Sequence, residues 1–222
     1  MASIGRGRGR ARNLTKAVEG NIRKVGETPS SQSPTPKAED VSLSEFEKTL
    51  ESSLKNNSTA NKNELLQQAQ SLGKDEEIIS KLVHLLGEKC LEDLDLATNS
   101  GEVVCCLIEA PNLGTSFRTI LLKRVQYFYK DRHEMRKMKI ERYFGFATLL
   151  CSLFKWMRVN DEPLKALVVP IYGLLEELLN GQTNCPEEKE ARENRTREIE
   201  TFHNCLLMVA SLLEVSDEVR FI

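Results

Sequence analysis

The sequence predicts an all-α fold of stacked antiparallel helical hairpins, an α-solenoid, preceded by a disordered tail. From Val41 onwards apolar residues recur with the period of an amphipathic helix, and no stretch shows a convincing strand pattern. The predicted helices group into about four pairs, which begin near residues 42, 75, 116 and 162. Intervals of 33, 41 and 46 residues are close to the period of helical repeats, in which one pair cannot bury its apolar face alone. A helical bundle without repeats remains the alternative.

The tail is predicted to span residues 1–40 and the folded domain residues 41–222. The tail holds five of the twelve glycines, three of the seven prolines and a Ser/Pro-rich run from Pro29 to Pro36, with few large apolar residues. Between Met1 and Lys24 there are seven Lys or Arg against one acid, a charge of about +6. The remainder carries about −8, because the total is −2. This asymmetry indicates that the tail and the body have different partners.

Helix boundaries are predicted from capping residues and from helix-breaking Gly and Pro. Pro170 is expected to kink its helix, because proline lacks an N–H and its ring crowds the preceding turn. The predicted helix starts are a capping box at Ser44 and Glu47 and further caps at Asp75, Ser100, Ser116, Asp161 with Pro163, and Asn184 with Pro186; Gly181 is a predicted stop. The predicted core stripes include Phe117, Leu121, Val125 and Phe128 in one helix and Phe202, Leu206, Val209, Ala210 and Leu213 in the last.

The sequence contains no recognisable catalytic motif, so no enzyme activity, metal or cofactor is expected. The six cysteines form no C-x-x-C pair and the three histidines are scattered, so the spacing typical of metal ligands is missing. Buried free thiols in a reducing compartment are expected instead. The longest uncharged run of the body, Tyr143 to Phe154, has 12 residues, whereas a membrane span needs about 20. With no secretory signal visible, a cytoplasmic protein is expected, with the nucleus and ribonucleoprotein granules as further candidates.

One candidate binding segment is the Arg-Gly tail, Gly5-Arg-Gly-Arg-Gly-Arg-Ala-Arg12. Its arginines Arg6, Arg8, Arg10 and Arg12 are carried on a flexible backbone, and such cationic tails contact RNA phosphates without folding. They are also typical substrates for arginine methylation, which keeps the charge and blocks bidentate hydrogen bonding. A methylated arginine enters an aromatic cage through cation–π attraction. A solubilising tail without a defined partner is the alternative.

The second candidate is a basic ridge from Lys123 to Arg142, where eight Lys or Arg stand against three acids, a local charge of +5. Cations presented at the junction of two helices favour contact with RNA phosphate or with an acidic protein surface. An exposed, solvated helix end is the alternative. The ridge consists of Lys123, Arg124, Lys130, Arg132, Arg136, Lys137, Lys139 and Arg142, and Lys155, Trp156 and Arg158 on the next helix are expected to extend it.

Three segments carry a family resemblance: Phe117 to Gln126, Phe144 to Phe154 and, above all, Met157-Arg-Val-Asn-Asp-Glu-Pro-Leu-Lys-Ala-Leu-Val-Val-Pro-Ile-Tyr172. They resemble the middle-domain family of translation initiation factor four-gamma, here called MIF4G-like. The resemblance covers about residues 42–215 and implies stacked HEAT-type hairpins. It is similar to the small single-domain members that link an mRNA 3′-end-binding protein, such as the histone stem-loop-binding protein, to the initiation machinery.

What the resemblance implies is a non-catalytic adaptor in translation or RNA metabolism. The implied partners are translation-initiation or mRNA 3′-end-binding proteins, a DEAD-box RNA helicase and RNA, bound directly or through another protein. The sequence reaches Ile222 after about four hairpins, where the family pattern would continue with another, so any partner surface there is expected to be missing or shortened. The Arg-Gly tail is outside the family pattern and resembles the tails of Piwi-type germline proteins that Tudor domains bind. The alternative function is therefore a single-stranded RNA-binding granule protein that acts through its tail.

Overall fold

The computed structural model describes residues 38–56, 58–71, 75–111, 113–181 and 188–215. The predicted tail lies outside these ranges except for its last three residues, which already belong to the first helix. The helices of the described part are α1 Ala38–Asn56, α2 Thr59–Ser71, α3 Glu76–Glu92, α4 Leu94–Ile108, α5 Gly114–Met138, α6 Ile140–Trp156, α7 Val168–Asn180 and α8 Glu188–Val215. A two-residue hairpin, β1 Arg158–Val159 and β2 Glu162–Pro163, and a 3₁₀ turn, Lys165–Leu167, lie between α6 and α7.

Consecutive helices pack as four hairpins, α1 with α2, α3 with α4, α5 with α6 and α7 with α8. Neighbouring hairpins are joined mainly by α4 against α6, α6 against α8 and α3 against α5. The predicted all-α, HEAT-like stack of about four hairpins is thereby confirmed. The stacking explains why each hairpin is weakly amphipathic on its own, since its apolar face is completed only by the next pair.

Helix α6 lies at the centre of this packing. Every residue from Tyr143 to Phe154 is buried, because α3, α4, α5 and α8 all contact the helix. The long uncharged run of the sequence is therefore a helix surrounded by protein on all sides. Among the described helices, none combines the length and the apolar character that crossing a membrane would require.

Two glycines allow other helices to approach closely at α6. The amide of Gly101 in α4 donates to the Ser152 hydroxyl at 2.9 Å, and that hydroxyl donates to the carbonyl of Thr98 at 2.7 Å. A Cβ at Gly101 would lie 2.2 Å from the carbonyl oxygen of Ser152, and one at Gly145 would lie 2.5 Å from the carbonyl oxygen of Cys90. Any larger residue at either position would force two helix backbones apart.

The predicted helix starts are confirmed in one case and wrong in three. The Asp75 side chain accepts from the amide of Glu77 at 2.9 Å and caps α3. Ser100 is buried within α4, which Asp93 caps instead by accepting from the amide of Asp95 at 2.9 Å. The capping box at Ser44 and Glu47 lies inside α1, which starts at Ala38, and Ser116 lies inside α5, which starts at Gly114.

The segment before α7 was predicted as a helix start and forms the β1–β2 hairpin. Asn160 and Asp161 have positive φ angles of 52° and 65°, a left-handed pair that suits a two-residue hairpin turn. Pro163 therefore belongs to β2. The predicted kink at Pro170 is also wrong, because Pro170 lies in the first turn of α7, where the missing N–H has no intrahelical acceptor in any case. Gly181, with a φ of 74°, ends α7 as predicted.

The core residues follow the predicted stripes with one exception. Phe117, Leu121, Val125 and Phe128 are all buried along α5, and Val209 and Leu213 along α8, where Phe202 and Ala210 are half-buried. Leu206 is 36% exposed, and Cys205 takes the inward position in its place. Asn184 and Pro186, the predicted start of the last helix, lie outside the described residues.

The five described cysteines are free thiols, and Cys90, Cys151 and Cys205 are buried, as expected. Burial raises the pKa of Cys90 to about 12. A hydrogen bond to Cys205, together with burial, raises the pKa of Cys151. These thiols are therefore held in their neutral form within the core, where they act as small apolar side chains. In the described part of the chain no cluster of His, Cys, Asp or Glu has the composition of a metal site.

Candidate partner-binding ridge on α5 and α6

The basic ridge divides into arginines that face the protein and lysines that face solvent. Arg124, Arg132, Arg136 and Arg142 are each partly buried, whereas Lys123, Lys130, Lys137 and Lys139 are exposed. Helical phase explains the division. Lys123, Lys130 and Lys137 recur every seven residues on one side of α5, whereas Arg132 and Arg136 continue the core stripe of Val125 and Phe128.

The first arginine cluster joins α5 and α6 to α3 through Glu88, and we call it the Glu88 cluster. Arg124 donates from Nη2 to Glu88 Oε1 at 2.9 Å, and Arg142 donates from Nη2 to Glu88 Oε2 at 2.6 Å. Partial burial alone would raise the pKa of Glu88, but the bonds from Arg142 and Arg124 outweigh it, so the pKa is lowered. Arg124 Nη2 also lies 2.7 Å from His84 Nδ1, which must accept because a guanidinium only donates.

The second cluster joins α5 to α7 and α8, and we call it the Glu198 cluster. Arg136 forms an ion pair with Glu198, whose side chain is only 2% exposed, and donates to the backbone carbonyl of Glu177 at 3.0 Å. Arg132 donates from Nε to Glu177 Oε1 at 2.9 Å, and the Tyr143 hydroxyl donates to Glu177 Oε2 at 3.0 Å. Burial, and then the Glu177 carboxylate, raise the pKa of the Tyr143 hydroxyl, which stays protonated as a donor.

The aromatic residues interleaved with the ridge mostly serve these same contacts. The guanidinium carbons of Arg132 and Arg136 lie 4.1 Å and 5.0 Å from the ring centroids of Tyr129 and Tyr143. Tyr127 is the exception, because it is 56% exposed; the Arg124 guanidinium lies 5.2 Å from its ring. Most of the predicted aromatic surface is therefore internal packing.

The lysines form the accessible part of the ridge. Lys137 pairs with Glu134 at 2.8 Å on the surface of the same helix. For Lys123, Lys130 and Lys139, the described residues provide no hydrogen bond or ion pair. These four ammonium groups are positioned by the helix backbone and remain hydrated, which is the state in which a lysine meets a diffusing partner.

Lys155, Trp156 and Arg158 form a separate patch at the far end of α6. Sixteen residues of helix separate Lys155 from Lys139, about 24 Å along the axis, so the patch does not extend the α5–α6 junction. Trp156 is 39% exposed, with the Lys155 ammonium 5.7 Å from its ring centroid. Arg158 donates to the carbonyl of Phe154 at 3.2 Å and to that of Met157 at 3.1 Å, which ties it to the end of α6.

A groove beside Lys123 is the feature that sequence reasoning missed. It encloses about 450 Å³ between α5, α6 and the start of α7, with a floor that includes Val125, Leu150 and Leu167. Lys123 and Pro170 lie at its edges, and Val169 nearby is 70% exposed. The signal was the sequence around Pro170, since a proline in a first helical turn shortens α7 and leaves the neighbouring face of α5 uncovered. The tail arginines Arg6, Arg8, Arg10 and Arg12 lie outside the described residues.

Stacked HEAT-like hairpins with a cationic surface and an apolar groove define the class of helical-repeat proteins that bind other macromolecules. No family model matches the chain. Among curated proteins it is 34% identical over 116 residues to the CBP80/20-dependent translation initiation factor of Xenopus tropicalis, which is 52% of this chain and 20% of that protein. It is 29% identical over 114 residues to MIF4G domain-containing protein A of Xenopus laevis and to the human MIF4G domain-containing protein, which is 50% of this chain and 51% of each relative.

These similarities confirm the resemblance found in the sequence, and the chain is a MIF4G-like protein. The matched region spans about half the length of the MIF4G domain-containing relatives and a fifth of the initiation factor. The printed names connect the relatives with the MIF4G domain and, in one case, with translation initiation.

Proposed function

We propose that the protein is a non-catalytic adaptor in mRNA translation or RNA metabolism, which presents its helical stack to a protein or ribonucleoprotein partner. The proposal is supported by the similarity to MIF4G domain-containing proteins and to a translation initiation factor. The observation that carries it is the division of the ridge: the arginines are used within the fold, and the lysines are presented to solvent.

The proposed partner surface consists of Lys123, Lys130, Lys137 and Lys139, with Lys155, Trp156 and Arg158 as a second contact. An acidic protein surface or an RNA backbone fits these charges. The proposed partners are translation-initiation or mRNA 3′-end-binding proteins or a DEAD-box RNA helicase, in the cytoplasm. Arg124, Arg132, Arg136 and Arg142 belong to this surface as positioning residues, because they hold α5 against α3, α7 and α8.

The test is a charge reversal restricted to the lysines. The Lys123→Glu, Lys130→Glu and Lys139→Glu triple variant should lose capture of translation-related proteins from a lysate while its helical circular dichroism and melting temperature stay unchanged. Lys48→Glu in α1, an exposed lysine remote in sequence from the ridge, is the matched control. Capture that is equal for wild type, triple variant and control would refute the assignment of the surface. Repeating the capture after nuclease treatment separates protein-bridged from RNA-bridged association.

The Arg-Gly tail supports a second candidate, in which the protein binds single-stranded RNA or a Tudor domain mainly through Arg6, Arg8, Arg10 and Arg12. Deletion of residues 1–24 discriminates between the two. The adaptor proposal expects capture of protein partners to survive the deletion. The tail-led function expects RNA binding and granule localisation to disappear with the tail while the lysine variant binds normally.

A further inference from the structure

Helix α8 carries two apolar faces, and only one of them is covered within the described part of the chain. The inward face consists of Cys205, Val209 and Leu213, which are buried against the core. The second face holds Ile199, Leu206 and Leu207, which are 50%, 36% and 70% exposed. A helix of a globular protein usually needs a single apolar stripe, so a second stripe indicates an additional contact.

This exposure is concentrated rather than scattered. Ten large apolar side chains of the described residues are exposed, and three of them fall within the nine residues from Ile199 to Leu207. Single exposed apolar side chains are normal on a protein surface, but a group of them on one helix face marks an interaction site. Half-buried Ala210, one turn after Leu206, extends the same face with a small side chain that allows close helix approach.

The exposed face of α8 is complementary to itself in the antiparallel direction. Taking His203 as the centre, Ile199 and Leu207 lie four residues to either side, Thr196 and Ala210 seven, and Arg192 and Glu214 eleven. Offsets of four, seven and eleven residues all return to one side of a helix. An antiparallel copy therefore places Leu207 opposite Ile199 near the centre and the opposite charges of Glu214 and Arg192 at the two ends.

We propose that the exposed face of α8 binds the same face of a second copy of this chain, as an antiparallel pair with a two-fold axis at His203. Such a contact is isologous, so each favourable pairing occurs twice. Each α8 N-terminus lies beside the partner's C-terminus, which lets the helix dipoles attract. Arg192 also has a contact within its own chain, so the apolar centre supplies most of the attraction and the ends set the direction.

The size of the seam indicates a dimer of moderate affinity. From Arg192 to Glu214 the helix extends about 33 Å, and one helix pair of this length buries an area at the lower end of specific interfaces. A dissociation constant in the range of about 1 to 100 µM is expected, so the protein changes from monomer to dimer with concentration.

Sedimentation velocity of the full 222-residue chain, measured from about 1 µM to 200 µM, tests this expectation. Wild type should shift towards the dimer over this range, and Leu207→Glu should weaken the dimer at least tenfold. Leu179→Glu on α7, whose side chain is 54% exposed, is the matched control and should behave like wild type. A wild type that stays monomeric throughout overturns the proposal, even if Leu207→Glu loses stability because the chain itself covers the face. A dimer that Leu207→Glu does not weaken overturns it as well.

Cross-linking tests the direction of the pair. In an antiparallel dimer the two copies of residue 203 meet at the axis, so a His203→Cys variant should form a disulfide-linked dimer under mild oxidation. Asn204→Cys, about 100° around the helix, is the control, and wild type measures the background from the native cysteines. Equal cross-linking of the two variants would exclude the antiparallel arrangement, and loss of the His203→Cys cross-link on adding Leu207→Glu would support it.

Discussion

The two carboxylate clusters that hold the ridge perform the same task in different degrees of burial. In the Glu88 cluster the carboxylate is 30% exposed and two arginines share it. In the Glu198 cluster the carboxylate is 2% exposed, and Arg136 beside it is 11% exposed. An ion pair shielded from water strengthens both the attraction between its members and the penalty for removing one of them. The comparison predicts that the Glu198 cluster is the more sensitive of the two.

The largest effect is expected from Arg136→Ala. The variant leaves Glu198 buried with only the more distant contact to Arg195, at 3.4 Å, and should lower the free energy of unfolding by about 3 kcal/mol. Urea denaturation followed by circular dichroism measures the change. The Arg136→Met and Glu198→Met double variant removes both charges and should recover most of the loss. A double variant as unstable as Arg136→Ala would show that packing of the long side chain, rather than the unpaired charge, is responsible.

A smaller loss is expected from Arg142→Ala in the Glu88 cluster. Glu88 keeps its bond from Arg124 at 2.9 Å and can also recruit water, so the cost should be about 1 kcal/mol. The same urea titration compares the two variants directly. If Arg142→Ala cost as much as Arg136→Ala, the difference in burial between the clusters would have no energetic consequence.

The lowered pKa of Glu88 sharpens the comparison through pH. A carboxylate whose pKa in the folded state is below its ordinary value of 4.5 stabilises the fold above that pH. This contribution is lost as the pH falls through the folded-state pKa, because the proton then displaces the arginines. Glu88→Gln should therefore melt lower than wild type at pH 6 and approach it near pH 3, within about 2 °C. Parallel melting curves across this range would contradict the assignment.

The sequence was sufficient for the fold because helical periodicity is local. It did not show which cations are accessible, because Arg124, Arg132 and Arg136 find their carboxylates 36, 45 and 62 residues away in the chain. Part of the answer was nevertheless in the phase of α5, where Arg132 and Arg136 continue the core stripe. The β1–β2 hairpin was missed for a related reason, since Asp161 before Pro163 reads as a helix start until the left-handed turn is seen.

The smallest effect is expected outside both clusters, from Lys137→Ala. Lys137 and Glu134 form an ion pair 2.8 Å long on the open surface, with both side chains more than 60% exposed. The pair gains little over hydration and is screened by salt, so the free energy of unfolding should not change measurably. Lys137→Ala should still weaken partner capture if the proposed surface is correct. A variant that lost stability as Arg142→Ala does would place Lys137 with the arginines as a structural residue, and would remove it from the proposed partner surface.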